Sequence, residues 1–464
     1  MPQDIKQSGP GTWAEIDPQT LRQWDQAHVW HPFTPHSVYA QDQPLMVVAG
    51  EGNYLIDAQG RRYLDGVSSI WCSALGHRHP GVDAAVQAQL GRIAHATFLG
   101  NASAPGVVLA RRLAMLEPLS LNKVFFSDNG STATEIALKM AYQYFQQNGA
   151  PQKRGFLALT NAYNGDTLGA VSVGGIDLFH AKFRDLLFDT VRGPSPYCYR
   201  CPMGKQPETC QTECLTRVVR LIEEHAHELA GVILEPGLQG AGGMITYPEG
   251  FLRTVREVTQ AHDVFLILDE VAVGMGRSGE MFACVEHGVE PDFLCIAKML
   301  TNGYMPLAAT LTTQRVFDGF LGAPEQARTF FHGHTFTGNA LGAAAALATL
   351  DAYEDEDILE GVRAKRAHLS QELERFWALD VVGDVRQYGL AAGIELVQAR
   401  ASRQPWPAAR RVGHAVCMHA RELGVFVRPL GDVLVLMPPL SITREEITVL
   451  VDALIDGVKA VCLS

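Results

Sequence analysis

The sequence predicts an α/β fold, in which a large, mostly parallel sheet lies between helices and a smaller α+β unit follows. Short apolar runs of strand length alternate with helix-length segments through the middle of the chain. Parallel strands need a crossover between them, usually a helix, so this alternation is typical of a parallel sheet with helices on both faces. The predicted strands of the sheet are 123–127, 155–159, 231–235, 264–269, 293–296 and 308–312.

The two ends of the chain have a different character. Strand-like pieces occur near 45–48 and 54–57, and a helix is predicted over 82–94. Beyond about residue 350, a charged helical pattern over 351–377 is followed by shorter segments, namely strands over 381–386, 391–396 and 433–437 and a helix near 410–423. We therefore predict an N-terminal segment (1–79) that joins a C-terminal small domain (349–464), and a large domain between them (80–348).

Composition and charge exclude several classes of protein. The chain has 464 residues, of which 47% are hydrophobic and 19% charged, as in an ordinary soluble globular protein. Its net charge of -12, without a long basic run, argues against nucleic acid and anionic membranes as partners. No apolar run approaches the roughly 18 residues of a membrane-spanning helix. The first residues lack the basic start and apolar stretch of a secretory signal, so we expect a cytoplasmic protein.

Two ionisable residues stand at the ends of consecutive predicted strands. Asp269 ends one apolar run, and Lys298 follows the next. Burial lowers the pKa of a lysine amine and makes it a nucleophile toward carbonyl groups. A nearby aspartate suits the other end of pyridoxal phosphate, where it keeps the ring nitrogen protonated. Taken alone, such residues are more often ordinary strand-end charges, so the rest of the cofactor site must decide between the two interpretations.

Further segments could complete such a site. Gly130 and Ser131 follow a strand and open a helix, where backbone N–H groups and hydroxyls can bind a phosphate or simply cap the helix. Thr335 lies in a second small, hydroxylated stretch and is another candidate phosphate ligand. Tyr163 offers an aromatic face that could stack on a pyridine ring, although packing is the commoner use of a single tyrosine.

Three polar residues are candidates for contacts with ligands. Glu235 follows a predicted strand and could meet a substrate amine or an arginine, and Gln239 could reach the phenolic oxygen of the cofactor. Arg428 could clamp a substrate carboxylate with its planar guanidinium, or form a surface ion pair.

Four of the nine cysteines are grouped in a loop-like stretch. Their spacing allows four thiolates around one zinc ion, but they could equally be packing residues of the loop, and we assign no metal ligand. These residues are Cys198, Cys201, Cys210 and Cys214.

The ordered set of motifs resembles the class III (ω-amino-acid) aminotransferases, which are pyridoxal phosphate enzymes of fold type I. The likeness runs from about Trp30 to the C-terminus and is carried by Asp269-Glu-Val-Ala-Val-Gly-Met-Gly-Arg-Ser-Gly279, Ala297-Lys298, Gly333-His-Thr335 and Gly338-Asn339. It implies that Lys298 forms a Schiff base with pyridoxal phosphate and that Asp269 pairs with the pyridine nitrogen. It further implies that Tyr163 stacks on the ring. The phosphate would be held by Gly130, Ser131 and Thr335, the last from the second subunit of a homodimer with shared active sites.

Within the class, other motifs resemble a branch whose members aminate 8-amino-7-oxononanoate (KAPA) to 7,8-diaminononanoate in biotin biosynthesis. They are Trp30-His-Pro-Phe-Thr34, Ser69-Ile-Trp71, Gly76-His77, Asn161-Ala-Tyr-Asn-Gly-Asp-Thr167, Arg428-Pro-Leu-Gly431 and Met437-Pro-Pro439. By this likeness Arg428 would bind the acceptor carboxylate. The other substrate-binding residues would be Phe33, Trp71, Tyr163, Lys298, Gly333 and His334.

Several positions depart from that branch. Phe33, His334 and Val435 stand where its usual members have Tyr, Pro and Tyr. These changes remove groups associated with S-adenosylmethionine as amino donor, so S-adenosylmethionine and lysine both remain candidate donors. Met299 and Asn164 replace the usual Gly and His. The alternative is another class III aminotransferase that uses 4-aminobutyrate, ornithine or a diamine.

Overall fold

The computed structural model describes residues 16–116 and 120–463. The expectation about a secretory signal depends largely on residues 1–15, which lie outside this part of the chain. Among the helices that the structure describes, none is both long and apolar enough to cross a membrane.

The helices and strands follow one another along the whole described chain. The helices are α1 (Pro18–His28), α2 (His36–Tyr39), α3 (Ser68–Trp71), α4 (Pro80–Leu90), α5 (Ala104–Ala114), α6 (Gly130–Gln147), α7 (Leu168–Val173), α8 (Asp177–His180), α9 (Glu213–His225), α10 (Phe251–Ala261), α11 (Ala283–Glu286), α12 (Gln314–Asp318), α13 (Ala340–Asp355), α14 (Ile358–Glu374), α15 (Val412–Glu422) and α16 (Arg444–Cys462). The strands are β1 (Val47–Glu51), β2 (Tyr54–Asp57), β3 (Arg62–Asp65), β4 (Lys123–Ser127), β5 (Gly155–Leu159), β6 (Val191–Gly193), β7 (Leu229–Leu234), β8 (Leu238–Gln239), β9 (Ile245–Thr246), β10 (Phe265–Asp269), β11 (Phe293–Ile296), β12 (Ala308–Thr312), β13 (Val382–Tyr388), β14 (Ala391–Leu396), β15 (Val425–Phe426), β16 (Arg428–Leu430) and β17 (Val433–Leu436).

A seven-stranded sheet in the order β4-β12-β11-β10-β7-β5-β6 forms the centre of the molecule. β12 runs antiparallel to both of its neighbours, and the other strands are parallel. Every residue of β7, β10 and β11 is buried, as expected for strands covered by helices on both faces. The predicted α/β fold with a mostly parallel sheet is therefore confirmed. Six predicted strands of the chain have the observed bounds, namely β2, β4, β5, β11, β12 and β14.

Two four-stranded sheets and the β8-β9 pair lie outside the central sheet. β13-β14-β17-β16 is antiparallel, and β15 pairs in parallel with β3 beside β2 and β1. The pairing of β15 with β3 joins the N-terminal segment to the C-terminal region, as the sequence suggested. The boundary expected at residues 348 and 349 falls inside α13, so the two units share a helix, and the division into domains stays a prediction.

Two predicted helices have different bounds in the structure. The helix expected over 351–377 is interrupted at Glu356 and Asp357, because Asp357 has a φ of 50°, in the left-handed region where an α-helix cannot continue. α13 ends before this break and α14 begins after it. The helix expected over 82–94 is α4, which ends at Leu90 before Gly91.

Candidate functional site

A cavity of about 400 Å³ lies at the carboxyl ends of the parallel strands. Parallel strands end at the same edge of a sheet, so the residues that follow β4, β5, β7, β10 and β11 meet there. The cavity is lined by Trp71, Cys72, Asp128, Asn129, Gly130, Ser131, Tyr163, Asn164, Gly165, Glu235, Asp269, Val271, Ala272, Ala297, Lys298, Gly303, Met305, Pro306 and Leu307. Seven of the candidate residues are among them: Trp71, Gly130, Ser131, Tyr163, Glu235, Asp269 and Lys298.

Asp269 is the last residue of β10 and is only 5% exposed. Its Oδ1 accepts a hydrogen bond of 3.0 Å from the backbone N–H of Val271. Burial raises the pKa of the Asp269 carboxyl to about 6, while the Val271 N–H and the charge of Lys298 act in the opposite direction. A buried carboxylate at this position favours a cationic partner inside the cavity.

Lys298 begins a short 3-10 helix two residues after β11. Its φ of 42° is in the left-handed region, which is unusual for a lysine and is typical of strained positions at functional sites. The Lys298 Nζ lies 5.0 Å from the centre of the Trp71 ring. Burial lowers the pKa of the Lys298 amine, and the charges of Asp269 and Glu235 oppose this shift. A neutral amine in a buried cavity can act as a nucleophile or a base.

Glu235 is a second buried carboxyl in the cavity wall, directly after β7 and 4% exposed. It accepts hydrogen bonds of 3.0 Å from the backbone N–H groups of Tyr163 and Gly240. Burial, and then the charge of Asp269, raise the pKa of Glu235 to about 8. Glu235 therefore fixes the loop that carries Tyr163 and places a carboxyl close to Lys298.

The turn at the start of α6, which we name the Gly130–Ser131 cradle, leaves its backbone open where Gly130 and the neighbouring Gly165 have no side chain. A Cβ on Gly130 would lie 2.5 Å from Val271 Cγ1, and a Cβ on Gly165 would lie 2.2 Å from Ser131 Oγ. Ser131 Oγ accepts a hydrogen bond of 3.0 Å from the N–H of Asp166. Open backbone at a helix N-terminus, together with a hydroxyl, has the chemistry that binds a phosphate group. The residues present therefore fit the phosphate of a bound cofactor.

Tyr163 lies half-buried on the side of the cavity formed by the loop after β5. Its hydroxyl donates a hydrogen bond of 2.7 Å to Asp166 Oδ2, and burial raises the pKa of this hydroxyl. The Tyr163 ring is nearly parallel to that of His180, with 6.4 Å between the ring centres. An aromatic ring held in this way offers a face on which a planar cofactor can stack.

Five candidate residues do not line this cavity. Thr335 and Gly333 are exposed. His334 Nδ1 lies 2.9 Å from Oδ2 of Asp128, which does line the cavity. Phe33 is exposed, and its ring packs edge-on against Phe179 at 5.1 Å, whereas Arg428 is an exposed residue at the start of β16. Their substrate and phosphate roles stay predictions.

Among the lining residues that were not predicted from the sequence as site residues are Cys72, Asp128 and Asn164. Each lies beside a predicted site residue or beside the turn predicted at Gly130, and this closeness in sequence is the signal that could have found it. Gln239 is fully buried and absent from the lining; its amide donates to Thr160 O and accepts from the Ser195 hydroxyl. These two bonds occupy the amide that was expected to reach a cofactor oxygen.

The four grouped cysteines are free thiols, of which Cys198 is exposed and Cys214 buried. Cys210 Sγ donates to Glu213 Oε2 over 3.1 Å. Across residues 16–116 and 120–463, no three or more His, Cys, Asp or Glu side chains are grouped so that they could hold a metal ion.

The family model of aminotransferase class III matches residues 37–458. The chain belongs to the class III aminotransferase family. Among curated relatives, the adenosylmethionine-8-amino-7-oxononanoate aminotransferase of Geobacter sulfurreducens is 53% identical over 96% of this chain and 99% of its own length. The enzyme of the same name from Aquifex aeolicus is 48% identical over 96% of this chain and 98% of its own length.

Solved structures of the family have the same fold. The adenosylmethionine-8-amino-7-oxononanoate aminotransferase of Methanocaldococcus jannaschii superposes with a TM-score of 0.91 at 43% identity, covering 96% of this chain and 100% of that one. An amine transaminase from an uncultivated Pseudomonas species, in its pyridoxal-phosphate-bound form, gives 0.89 at 38% identity over 94% and 99% of the two chains. The class III fold thus spans nearly the whole of this chain.

Proposed function

We propose that this class III aminotransferase transfers an amino group to KAPA and forms 7,8-diaminononanoate, a step of biotin biosynthesis. The observation that carries the proposal is the meeting of Lys298, Asp269 and the Gly130 turn in one buried cavity. Similarity over nearly the full length to relatives named for this acceptor, at up to 53% identity, supports the choice of substrate.

The cofactor is pyridoxal phosphate. Gly130 and Ser131 would hold its phosphate, Tyr163 would support its ring, and the Asp269 carboxylate would pair with its ring nitrogen. When bound, it supplies a carbonyl carbon that accepts an amine and a pyridinium ring that withdraws electrons from the reacting carbon.

Lys298 is the catalytic residue of the proposal. Its Nζ would hold pyridoxal phosphate when the cofactor is bound, and it would become free to act as a base once a donor amine takes its place. The freed amine then removes the proton from the donor carbon that bears nitrogen, and it later delivers a proton to the acceptor carbon. The lowered pKa of Lys298 supports this role, because only the neutral amine can accept a proton.

Other side chains orient the reactants and exclude water. The buried Asp269 carboxylate keeps a positive charge at the far end of the ring, and Tyr163 holds one ring face. Trp71 closes the cavity above Lys298 and forms an apolar wall for the acceptor chain. We assign Phe33, Gly333 and His334 to the same substrate shell, with Arg428 as the partner of the acceptor carboxylate.

We propose a homodimer with shared active sites. Exposed apolar residues support it, since large apolar side chains at the surface favour association. They include Trp30, Leu99, Phe331 and Phe336. Thr335 is exposed between two of these residues and outside the cavity of its own chain, a position from which it can supply a phosphate ligand to the second subunit.

We also propose that the enzyme acts in the cytoplasm. All nine cysteines are free thiols, which suits a reducing compartment.

A second candidate function is amino transfer between another donor and acceptor of the ω-amino class. It is favoured by the likeness to solved ω-transaminases, such as one from Thermomicrobium roseum with a TM-score of 0.91 at 33% identity, over 96% of this chain and 99% of that one.

The test is steady-state turnover of the purified holoenzyme with a panel of acceptors: KAPA, succinate semialdehyde and pyruvate. Each acceptor is assayed with S-adenosylmethionine, lysine and 4-aminobutyrate as donors. The proposal predicts the largest kcat/KM for KAPA with one of the first two donors. A larger kcat/KM for another acceptor would replace it by the second candidate.

A further inference from the structure

The backbone that carries Trp71 is strained. We name residues 66–72 the Trp71 turn; it includes α3. Three of its residues, none of them glycine, have positive φ angles: Ser68 at 43°, Ser69 at 63° and Trp71 at 67°. Ser69 combines this φ with a ψ of -76°, close to the rare γ-turn conformation. Such conformations persist only where the surroundings impose them, and they cluster at functional sites.

One carboxylate imposes much of this conformation. Asp65 ends β3 and has no exposed surface. Its Oδ2 accepts a hydrogen bond of 2.7 Å from the Ser69 N–H, and its Oδ1 accepts one of 3.2 Å from the Val67 N–H. His77 Nε2 lies 3.0 Å from the same Oδ2 and orients the carboxylate. Asp65 thus binds the backbone on both sides of Ser68.

A second contact holds the turn from its other side. The buried Ser68 hydroxyl donates a hydrogen bond of 2.7 Å to the carbonyl of Met437, which follows β17. The Met437 N–H in turn donates 2.9 Å to the carbonyl of Gly66. The turn is therefore fixed between β3 and the C-terminal sheet and cannot relax without breaking these bonds.

The consequence lies at the Trp71 ring. Trp71 is buried, and Lys298 Nζ lies 5.0 Å from its ring centre. The ring also packs on Gly240, where an added Cβ would lie 3.2 Å from Trp71 Cζ3. Gly240 is itself fixed through its N–H bond to Glu235. The ring therefore occupies one position over the lysine, set by the strained turn below it.

We propose that Asp65 is a positioning residue, whose buried carboxylate holds the Trp71 turn in its strained conformation and so fixes Trp71 over the Lys298 amine. The inference rests on the proposed function, because it assigns Trp71 to the acceptor wall. It concerns how the wall is held and not which acceptor is used.

The test compares Asp65→Asn with a matched variant, Asp57→Asn. Asp57 is also buried in the N-terminal sheet and accepts backbone N–H bonds, from Gln59 and Arg61 at 2.9 Å, but these bonds lie outside the Trp71 turn. Two properties are measured on the full-length holoenzyme. The first is the quenching of Trp71 fluorescence by acrylamide, obtained by subtracting the emission of the same protein with Trp71→Phe. The second is the kinetics of the acceptor half-reaction.

Asp65→Asn should expose Trp71 to quencher and lower kcat/KM for the acceptor about tenfold to a hundredfold, as expected for a misplaced reacting geometry. Asp57→Asn should lose stability without either change. Loss of thermal stability alone in both variants, with Trp71 still shielded in Asp65→Asn, would overturn the proposal. Failure of the parent enzyme to aminate KAPA concerns the proposed function only, since Trp71 shielding is measured without substrate.

A second variant keeps the test valid if Asp65→Asn fails to fold. Ser69→Gly retains the Asp65 hydrogen bonds and accepts a φ of 63° without strain. Its midpoint of thermal unfolding should equal or exceed that of the parent, and Trp71 should stay shielded from quencher with parental acceptor kinetics, because both Asp65 hydrogen bonds still hold the turn. Exposure of Trp71 in a Ser69→Gly protein of parental stability would overturn the proposal, since the carboxylate would then not be what holds the turn.

Discussion

Replacement of Asp269 by asparagine should stabilise the cofactor-free chain above neutral pH while weakening its response to cofactor. Burial raises the pKa of Asp269 from 3.8 to about 6. A carboxyl with a higher pKa in the folded chain than in the unfolded one binds its proton more tightly when folded. The protonated Asp269 carboxyl therefore adds to the free energy of unfolding below about pH 4, and this contribution is lost as the pH rises through about 6.

The size of this effect follows from the shift. Roughly two pKa units correspond to about 3 kcal/mol of unfolding free energy. An asparagine does not ionise, and its amide oxygen can still accept the Val271 N–H that now bonds to Asp269. The difference between variant and parent should therefore be near zero at about pH 4 and grow to about 3 kcal/mol in favour of the variant at about pH 8.

Urea unfolding of both cofactor-free proteins across this pH range measures the difference in their unfolding free energies. The contributions of other titrating groups are common to both proteins and cancel. Added pyridoxal phosphate should then stabilise the parent more than Asp269→Asn, because only the parent offers an anion to the ring nitrogen. The control is Glu270→Gln: burial raises the pKa of Glu270 to about 7, but Glu270 does not line the cavity. That variant should show a similar pH effect and a parental gain from cofactor. A pH-independent difference for Asp269→Asn would refute the reasoning.

Three further outcomes are expected. Lys298→Ala should lose the visible absorbance of the lysine-linked cofactor and nearly all turnover; retention of both contradicts the assignment. Gly130→Ala should lower cofactor affinity at least about tenfold in a titration, because its Cβ would lie 2.5 Å from Val271 Cγ1; an unchanged affinity argues against the phosphate cradle. Mixed dimers of Lys298→Ala and Thr335→Ala subunits should regain activity that neither variant has alone, since one of the two sites is then intact. No recovery on mixing would show that Thr335 does not cross the interface.

The sequence predicted those cavity residues whose position is set by the strand or helix next to them in the chain. Asp269 and Lys298 follow short apolar runs that are buried strands of one parallel sheet, so both had to meet at one edge. Gly130 and Ser131 open a helix directly after β4. In each case the chemical group lies within two or three residues of the element that carries it, and the apolar pattern of that element is visible in the sequence.

Such patterns did not reveal main-chain hydrogen bonds, left-handed backbone conformations or contacts between loops. Asp65 acts on the Trp71 turn through bonds to main-chain N–H groups, which any residue type provides and no motif reveals. The left-handed conformation of Asp357 breaks a helix whose side-chain pattern continues through it. Gln239 was matched to a cofactor by its type, whereas its partners are Thr160 and Ser195 of neighbouring loops.

The central claim is amino transfer to KAPA through the site built around Lys298. Its most direct test supplies the purified holoenzyme with KAPA and an amino donor labelled with heavy nitrogen, either S-adenosylmethionine or lysine, and determines the product by mass spectrometry. The account predicts 7,8-diaminononanoate that carries one labelled nitrogen from one of these donors, and none from the Lys298→Ala protein. Unchanged KAPA with both donors, from a parent enzyme that transfers the label to another carbonyl acceptor, would contradict it.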